Sequence, residues 1–247
     1  MPTPSRNQPK TSKKASSYLT ADFPTPFCYL RAMSRALSIC GVILAAGASR
    51  RMGSEKALLP WPPASPTQVS AGTFLSAAIQ SFAPISDVVI VVAGKNRDAL
   101  APVVYASGAT LVINPEPERG QFSSLQTGLH EVLNRGRDAA IVTLVDRPPV
   151  NPATIQKLHA AFGSAIARWK WAAIPEYKGK HGHPILLARE MIEAFLKAPP
   201  TGSARDVLHE NHEHIAYVEV DDPLVAINVN TPDEYTALQR AVALLRE

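Results

Sequence analysis

Cysteine is scarce in this chain of 247 residues. Cys28 and Cys40 are the only two, and they form no CxxC pair. Two isolated thiols cannot build a disulfide framework, and they suit a reducing compartment such as the cytoplasm better than a structural metal centre. Long apolar runs are missing as well: no stretch approaches the ~18 consecutive apolar residues that a membrane helix needs. Three glycine motifs are absent, each with a chemical consequence. Without GxxxxGK[ST] there is no P-loop. Without GxGxxG, or an acid after the second strand, a dinucleotide oxidoreductase lacks its cofactor site. Without GxSxG there is no strained elbow to present a serine nucleophile.

Acidic residues are short at one end only. Residues 1–38 hold Arg6, Lys10, Lys13, Lys14, Arg31 and Arg35 against Asp22 alone, so +5 of charge sits there and the remainder of a chain of net +4 is near −1. A nucleic-acid protein concentrates its basic surplus on the folded domain, so nucleic acid is not an expected partner. Residues 1–36 are rich in Pro, Ser, Thr and Lys without an apolar period, which predicts disorder. They lack the apolar centre of a secretory signal, although their basic, acid-poor make-up has some transit-peptide character. A floppy extension, or a start codon assigned too early with Met33 as the better beginning, are the plainer readings. The expected domain is 37–247.

What is present is a core. Hydrophobic residues make up 46% of the chain, enough to fill one sizeable domain. Ile39–Leu44, Val88–Val92, Ala109–Ile113 and Ala139–Val145 read as buried strands. Phe74–Phe82, Asn96–Tyr105, Ser123–Asn134 and Pro152–Phe162 between and after them have helical spacing. This alternation predicts an α/β fold with a mostly parallel sheet and helices on both faces. The second half is more mixed, with strands near Trp171–Ile174, Pro184–Leu187 and Ile215–Val220 and helices at Arg189–Leu196 and Ser203–Glu210. A last helix, from Pro232 to Leu245, opens with Thr231 as N-cap and Glu234 at the capping-box position.

In open α/β sheets the ligand lies beyond the carboxyl ends of the strands. After Leu44 comes AAGASRRMGSEK, from Ala45 to Lys56. Gly47 and Gly53 let backbone N–H groups approach an anion, small Ala45, Ala46, Ala48 and Ser49 stay out of the way, and Arg50, Arg51 and Lys56 bring positive charge. The combination points to a phosphate-binding loop. The stretch LAAGASRRMGSEKALLP resembles the LAAGxSxRMGxxKxLLP signature of the nucleotidyltransferase family that includes the molybdenum cofactor cytidylyl- and guanylyltransferases. More distant members are the sugar-phosphate and methylerythritol cytidylyltransferases. The resemblance continues in order. Asn114-Pro115 with RGQFSSLQTGL looks like the family's N…G..SSL..GL segment, Asp146 stands where its DxP aspartate lies, His181-Gly182-His183-Pro184 is similar to its GHP turn, and AINVNTPDEY to its closing element.

The resemblance implies a Rossmann-like fold of nucleotide-diphospho-sugar transferase type, a single domain with a mixed β part that binds the acceptor. It implies that Leu44, Ala45, Ala46, Gly47, Arg51, Lys56, Ser123 and Ser124 bind the nucleotide, with Lys56, Arg51 and Asp146 catalytic. Asp146 and Asn230 would hold Mg²⁺, with Asn228 beside them, and His183 and Arg147 would face the acceptor. Arg147 departs from the Gln or Met common in the family. Leu44-Ala45-Ala46-Gly47 favours CTP, since guanylyltransferases typically show LAGG. The implied reaction moves CMP from CTP to a phosphorylated pterin, molybdopterin, or to another phosphorylated metabolite such as a sugar phosphate. A molybdoenzyme client, or a cofactor-delivery role without catalysis, is the third possibility. Three other chemistries are set aside: helix capping explains Ser123 and Ser124 at least as well as nucleophilic attack, His181 and His183 lack a third ligand for zinc and favour substrate contact or packing, and His209, His212 and His214 in HENHEH resemble a solvated helix end rather than a metal cluster.

Overall fold

The computed structural model describes residues 37–47, 49, 51–62 and 72–244. The basic tail with Cys28 and Met33, and Ala48 and Arg50 of the loop, lie outside the described residues.

The first half follows the pattern expected of apolar runs separated by amphipathic ones. Strand β1 (Ile39–Leu44) is followed by a short hairpin, β2 (Pro60–Trp61) and β3 (Gly72–Thr73), and by helix α1 (Phe74–Phe82). Next come β4 (Val88–Ala93), α2 (Arg97–Ala106), β5 (Thr110–Ile113), α3 (Gln121–Asn134), β6 (Ala139–Leu144) and α4 (Pro152–Ile166). The second half contains β7 (Ala172–Tyr177), β8 (Lys180–His181), β9 (Ile185–Ala188), α5 (Arg189–Lys197), α6 (Ala204–Glu210), β10 (Ile215–Glu219) and α7 (Pro232–Leu244). Several elements run past their sequence-based limits. Helix α3 starts two residues early because Gly120, at φ 94°, makes the turn into it, and α4 adds a full turn to reach Ile166. The β2–β3 hairpin was not expected, each strand being only two residues long.

The main sheet runs β10-β7-β9-β6-β1-β4-β5, with β8 paired to the end of β7 on the edge that also holds β9. Strands β1, β4, β5 and β6 are parallel to their neighbours within this group, while β9 is antiparallel to both β6 and β7. Alternation along each central strand builds two cores. Ile39, Ile43, Val89, Val91 and Ile141 face α1, α2 and α4. Cys40, Val42, Ile90, Val92 and Val142 face α3, α5 and α6. Burial on both faces explains why these strands read as continuous apolar runs. Helix α3 lies so close that a Cβ on its Gly128 would come within 2.8 Å of Val42 Cγ1. A third, smaller cluster joins α7 to the hairpin region through Met52, Phe74, Val229, Leu238 and Val242.

The chain leaves β1 toward β4 on one side, and β6 lies on the other. The ends of β1 and β6 therefore form the topological switch point, where a doubly wound sheet opens a crevice.

Candidate active site

The loop after β1 is tied down by side chains rather than by its own ladder. Asn96, just before α2, donates from Nδ2 to Ala45 O (2.8 Å) and to Glu55 Oε2 (3.1 Å), while its Oδ1 accepts from Gly94 N at 3.1 Å. Ser49 donates from Oγ to Glu55 Oε1 (3.1 Å) and accepts from Lys56 N (3.2 Å). These bonds fold the loop back so that Lys56, opening a single 3-10 turn, points into the switch-point crevice. Burial is uneven along the loop: Ala45 is fully buried, whereas Gly47 is exposed.

Asp146 follows β6 by two residues. Its carbonyl accepts a hydrogen bond from Val229 N at 2.8 Å, which brings the segment before α7 against the strand end. The expected capping box of α7 forms: Glu234 N donates to Thr231 Oγ1 at 3.3 Å, and Glu234 Oε2 accepts from Thr231 N at 3.2 Å and from Asn230 N. Asn230 is thereby held, and Lys56 Nζ donates to its Oδ1 at 2.8 Å while lying 3.9 Å from Asp146 Oδ2. Buried Asp222 supports the same region, accepting from Asn151 N, Thr154 Oγ1 and Leu224 N at 2.8–3.0 Å. Asn151 caps α4 by accepting from Ala153 N, so Asp146 is left free of that task.

Asp146 is electrostatically out of balance. Burial pushes its carboxyl above the ordinary 3.8, against the opposing pull of Lys56, Arg147 and Arg51. Its Oδ1 is enclosed and has no hydrogen-bond partner. An orphaned carboxylate oxygen beside a neutral amide oxygen suits a hard divalent cation. Among the described residues no group of three His, Cys, Asp or Glu side chains could hold a metal alone, so ligand oxygens from a substrate would have to complete the shell.

Two cavities meet here. One, of about 610 Å³, is lined by the β1 loop, Lys56, Lys95, Asn96, the start of α3 and Asp146. The other, of about 1150 Å³, is lined by Arg147, His183, the face of α6 and parts of β7 to β10. Leu44, Gln121, Leu144 and Asp146 border both. Of the expected nucleotide residues, Leu44, Ala46, Gly47, Lys56 and Ser124 line the smaller cavity. Ala45 does not, being spent on backbone bonds to Val92 and Asn96. Ser123 is also turned away: its hydroxyl donates toward Gly120 O (2.8 Å) and accepts from Asn114 Nδ2 (2.9 Å). Arg51 is exposed and borders neither cavity, though its charge is felt at Asp146.

On the other side, Arg147 donates from Nη1 to Ile227 O at 3.1 Å, and its Nε is enclosed without a partner. His183 is pinned by its N–H to Val225 O at 3.0 Å. Burial, with help from Arg147, pushes its imidazole down to about 3, so it is neutral at physiological pH. Gly182 beside it is obligatory, because a Cβ would lie 2.1 Å from Val225 O. HENHEH is an exposed helix end, as expected: the helix stops at Glu210, and His209 and His212 are exposed while bordering the larger cavity. His214 stacks on Trp171 with centroids 3.6 Å apart.

Residues 41–215 match the MobA-like NTP transferase domain. The chain belongs to that family, and is a nucleotidyltransferase of MobA-like type. Molybdenum cofactor cytidylyltransferase of Escherichia coli (strain K12) is 26% identical over 81% of this chain and 95% of its own length. Molybdenum cofactor guanylyltransferase of Rhodobacter capsulatus is 27% identical over 85% and 98%. Among solved structures, Rv0371c from Mycobacterium tuberculosis H37Rv is 26% identical, covers 83% of this chain and 99% of its own, and superposes with a TM-score of 0.68. A manganese complex of Rv0371c shares the fold with a TM-score of 0.65 at 23% identity, over 83% of this chain and 100% of its own. A cytidylyltransferase and a guanylyltransferase thus lie at comparable distance from this sequence.

Sequence reasoning missed Lys95, Asn96 and Gln121 in the smaller cavity and Arg205 and Tyr217 in the larger. Lys95 was findable, since it follows a buried strand at the same sheet end. Asn96 was not, since its partner Ala45 lies 51 residues away.

Proposed function

We propose that this protein transfers CMP from CTP to a phosphorylated acceptor, molybdopterin, with release of pyrophosphate and with Mg²⁺ as cofactor. The observation that carries the reading is the pair of cavities that share Asp146, one beside a glycine-containing basic loop and one beside Arg147 and His183. A group transfer needs such a layout, with donor and acceptor on two sides of one reacting centre. In the reaction an acceptor phosphate oxygen bonds to the α-phosphorus of CTP as the bond to the β-phosphate oxygen breaks. The acceptor is already anionic near neutral pH, so no strong base is required.

The chain's own work is positioning and charge compensation. The amides around Gly47 and the charge of Lys95 cradle the triphosphate, and Arg51 closes over the departing pyrophosphate. Lys56 turns from Asn230 to the transferring phosphoryl group and stabilises charge building there. Asp146 and Asn230 would hold the cation, which supplies Lewis-acid polarisation and screens the repulsion between phosphates. Arg147 and neutral His183 hold the acceptor, His183 as a hydrogen-bonding group rather than a charge. The reading takes residues 37–247 as the catalytic unit and the cytoplasm as its setting. It involves no membrane: among the described residues, no helix is long and apolar enough to cross one. Cys40 takes no part, because burial pushes its thiol up to about 12.

Leu44-Ala45-Ala46-Gly47 supports CTP over GTP. Pyrophosphate release with each of the four nucleoside triphosphates, with and without molybdopterin, tests both halves. CTP is expected to exceed GTP at least ~10-fold in kcat/KM, about 1.4 kcal/mol of discrimination, and Ala46→Gly is expected to narrow that ratio. Equal use of CTP and GTP would overturn the base assignment. No release with any triphosphate would overturn the transferase reading.

A further inference from the structure

The larger cavity contains a feature that phosphate transfer alone does not require. His181 of β8 and Tyr217 of β10 stack with centroids 4.0 Å apart and planes within 12°. Both border the cavity, yet the His181 side chain is 50% exposed and Tyr217 is 48% exposed. Neither ring belongs to a hydrophobic core cluster. The pair is nonetheless fixed. Strands β8 and β10 flank β7 on its two edges, so both rings stand on strands paired to the same central neighbour. His181 Nε2 lies 3.1 Å from Glu176 Oε2, which sets the orientation of the imidazole. Half-open rings held in a defined stack offer a flat surface to a further ring, for which offset stacking is favourable.

The size of the cavity agrees. At about 1150 Å³ it has room for a fused ring together with its phosphate. Apolar Phe122, Ile174 and Ile185 contribute to its wall, and Arg205 adds a second positive charge beyond Arg147.

We propose that the His181–Tyr217 pair is the ring-recognition element of the acceptor site. The ring of the pterin acceptor proposed above stacks on this pair, and its phosphate reaches the Arg147 and Asp146 end. The placement of the phosphate rests on the transferase reading, whereas the ring platform stands on the stacked pair itself. Tyr217 and His181 are then specificity residues that discriminate ring-bearing acceptors from sugar phosphates.

Fluorescence titration of the whole chain with pterin-6-carboxylate, without nucleotide, tests this. The wild type is expected to quench the probe, Tyr217→Ala to weaken binding at least ~10-fold, and Tyr217→Phe to stay within about twofold, since only the ring face is used. Ribose 5-phosphate at the same concentration is expected not to displace the probe. In turnover, Tyr217→Ala is expected to raise the acceptor KM with kcat and the CTP KM unchanged. No quenching by the wild type, equal affinity of Tyr217→Ala, or displacement by ribose 5-phosphate would each overturn the platform. Binding that depends on Tyr217 in a chain releasing no pyrophosphate would keep the platform and remove the transferase reading.

Discussion

Asp146→Asn is expected to separate stability from catalysis, because under the proposed reading the carboxylate harms one and would serve the other. The side chain is only 23% exposed, its Oδ1 has no partner, and its nearest cation is Lys56 at 3.9 Å. Leaving a buried polar group unsatisfied costs about 1–3 kcal/mol. Lys56 and Arg147 offset part of this, but burial dominates, since the carboxyl is pushed up rather than down. A net gain of about 1 kcal/mol for the amide, near the low end of that range, corresponds to about 2–4 °C in Tm for a domain of this size. The pH dependence has a definite sign. A carboxyl whose pKa rises on folding contributes stability below its ordinary value of 3.8 and loses it as pH climbs through the raised value. The advantage of the Asp146→Asn variant is therefore expected to vanish in acid and to be full at neutral pH. With Mg²⁺ and CTP the order is expected to invert, because the wild type gains ligand stabilisation and the variant gives much of it up. Turnover is expected to fall at least ~100-fold, roughly 3 kcal/mol of transition-state stabilisation. Thermal melting across pH, with and without ligand, and pyrophosphate release measure both sides. A ligand-free variant less stable than wild type at neutral pH, or turnover within about threefold of wild type, would refute the reasoning.

Other expectations follow from packing and from the loop. Gly182→Ala places a Cβ 2.1 Å from Val225 O and is expected to cost about 3 kcal/mol in urea unfolding, since backbone must move. Gly128→Ala meets only the methyl groups of Val42 and Val92, at 2.8 and 3.0 Å, and is expected to cost less, about 1–2 kcal/mol. Asn96→Ala removes the bonds to Ala45 O and Glu55 and is expected to raise the CTP KM about tenfold with kcat nearly unchanged, the mark of lost ground-state and transition-state binding alike. An unchanged CTP KM would mean that the loop holds its shape without this brace.

How much was legible varies with the range of the interaction. VVIVV at Val88–Val92 and AAIVTL at Ala139–Leu144 are buried on both faces, so composition alone marked them as strands. The capping box at Thr231 and Glu234 was legible for the same reason: its partners are three residues apart. The lateral order of the sheet was not. Nothing in Ile185–Ala188 announces that this strand inserts antiparallel between β6 and β7, because strand neighbours are chosen by tertiary packing. The site divides likewise. Asp146 was legible as a charge just past a strand end and Lys56 as a charge closing the glycine-containing loop, whereas Tyr217 is one exposed residue in the alternating strand IAYVE. Its meaning comes only from His181, stacked on it from another strand.

The placement of Lys56 shows how such a site is kept folded before it has a ligand. Asp146 and Asn230 bring two oxygens to a half-buried crevice, and the carboxylate there has to be compensated or protonated. Lys56 does the compensating, with its ammonium 2.8 Å from Asn230 Oδ1 and 3.9 Å from Asp146 Oδ2. The compensation is incomplete, since Asp146 Oδ1 remains without a partner and the carboxyl is still pushed up. A perfectly paired lysine would be costly to remove and would resist engaging a phosphate. One that makes a single close bond, to a neutral amide, can be drawn away at modest cost, because hydrogen bonds between a charged and a neutral group contribute about 1.5–3 kcal/mol. Under the proposed reading, the same imbalance that costs the ligand-free chain stability would leave Asp146 open to a cation and Lys56 open to a phosphate. The neutral amide of Asn230 is what allows it: a carboxylate in its place would hold Lys56 in a full ion pair and set the two groups of the site against each other.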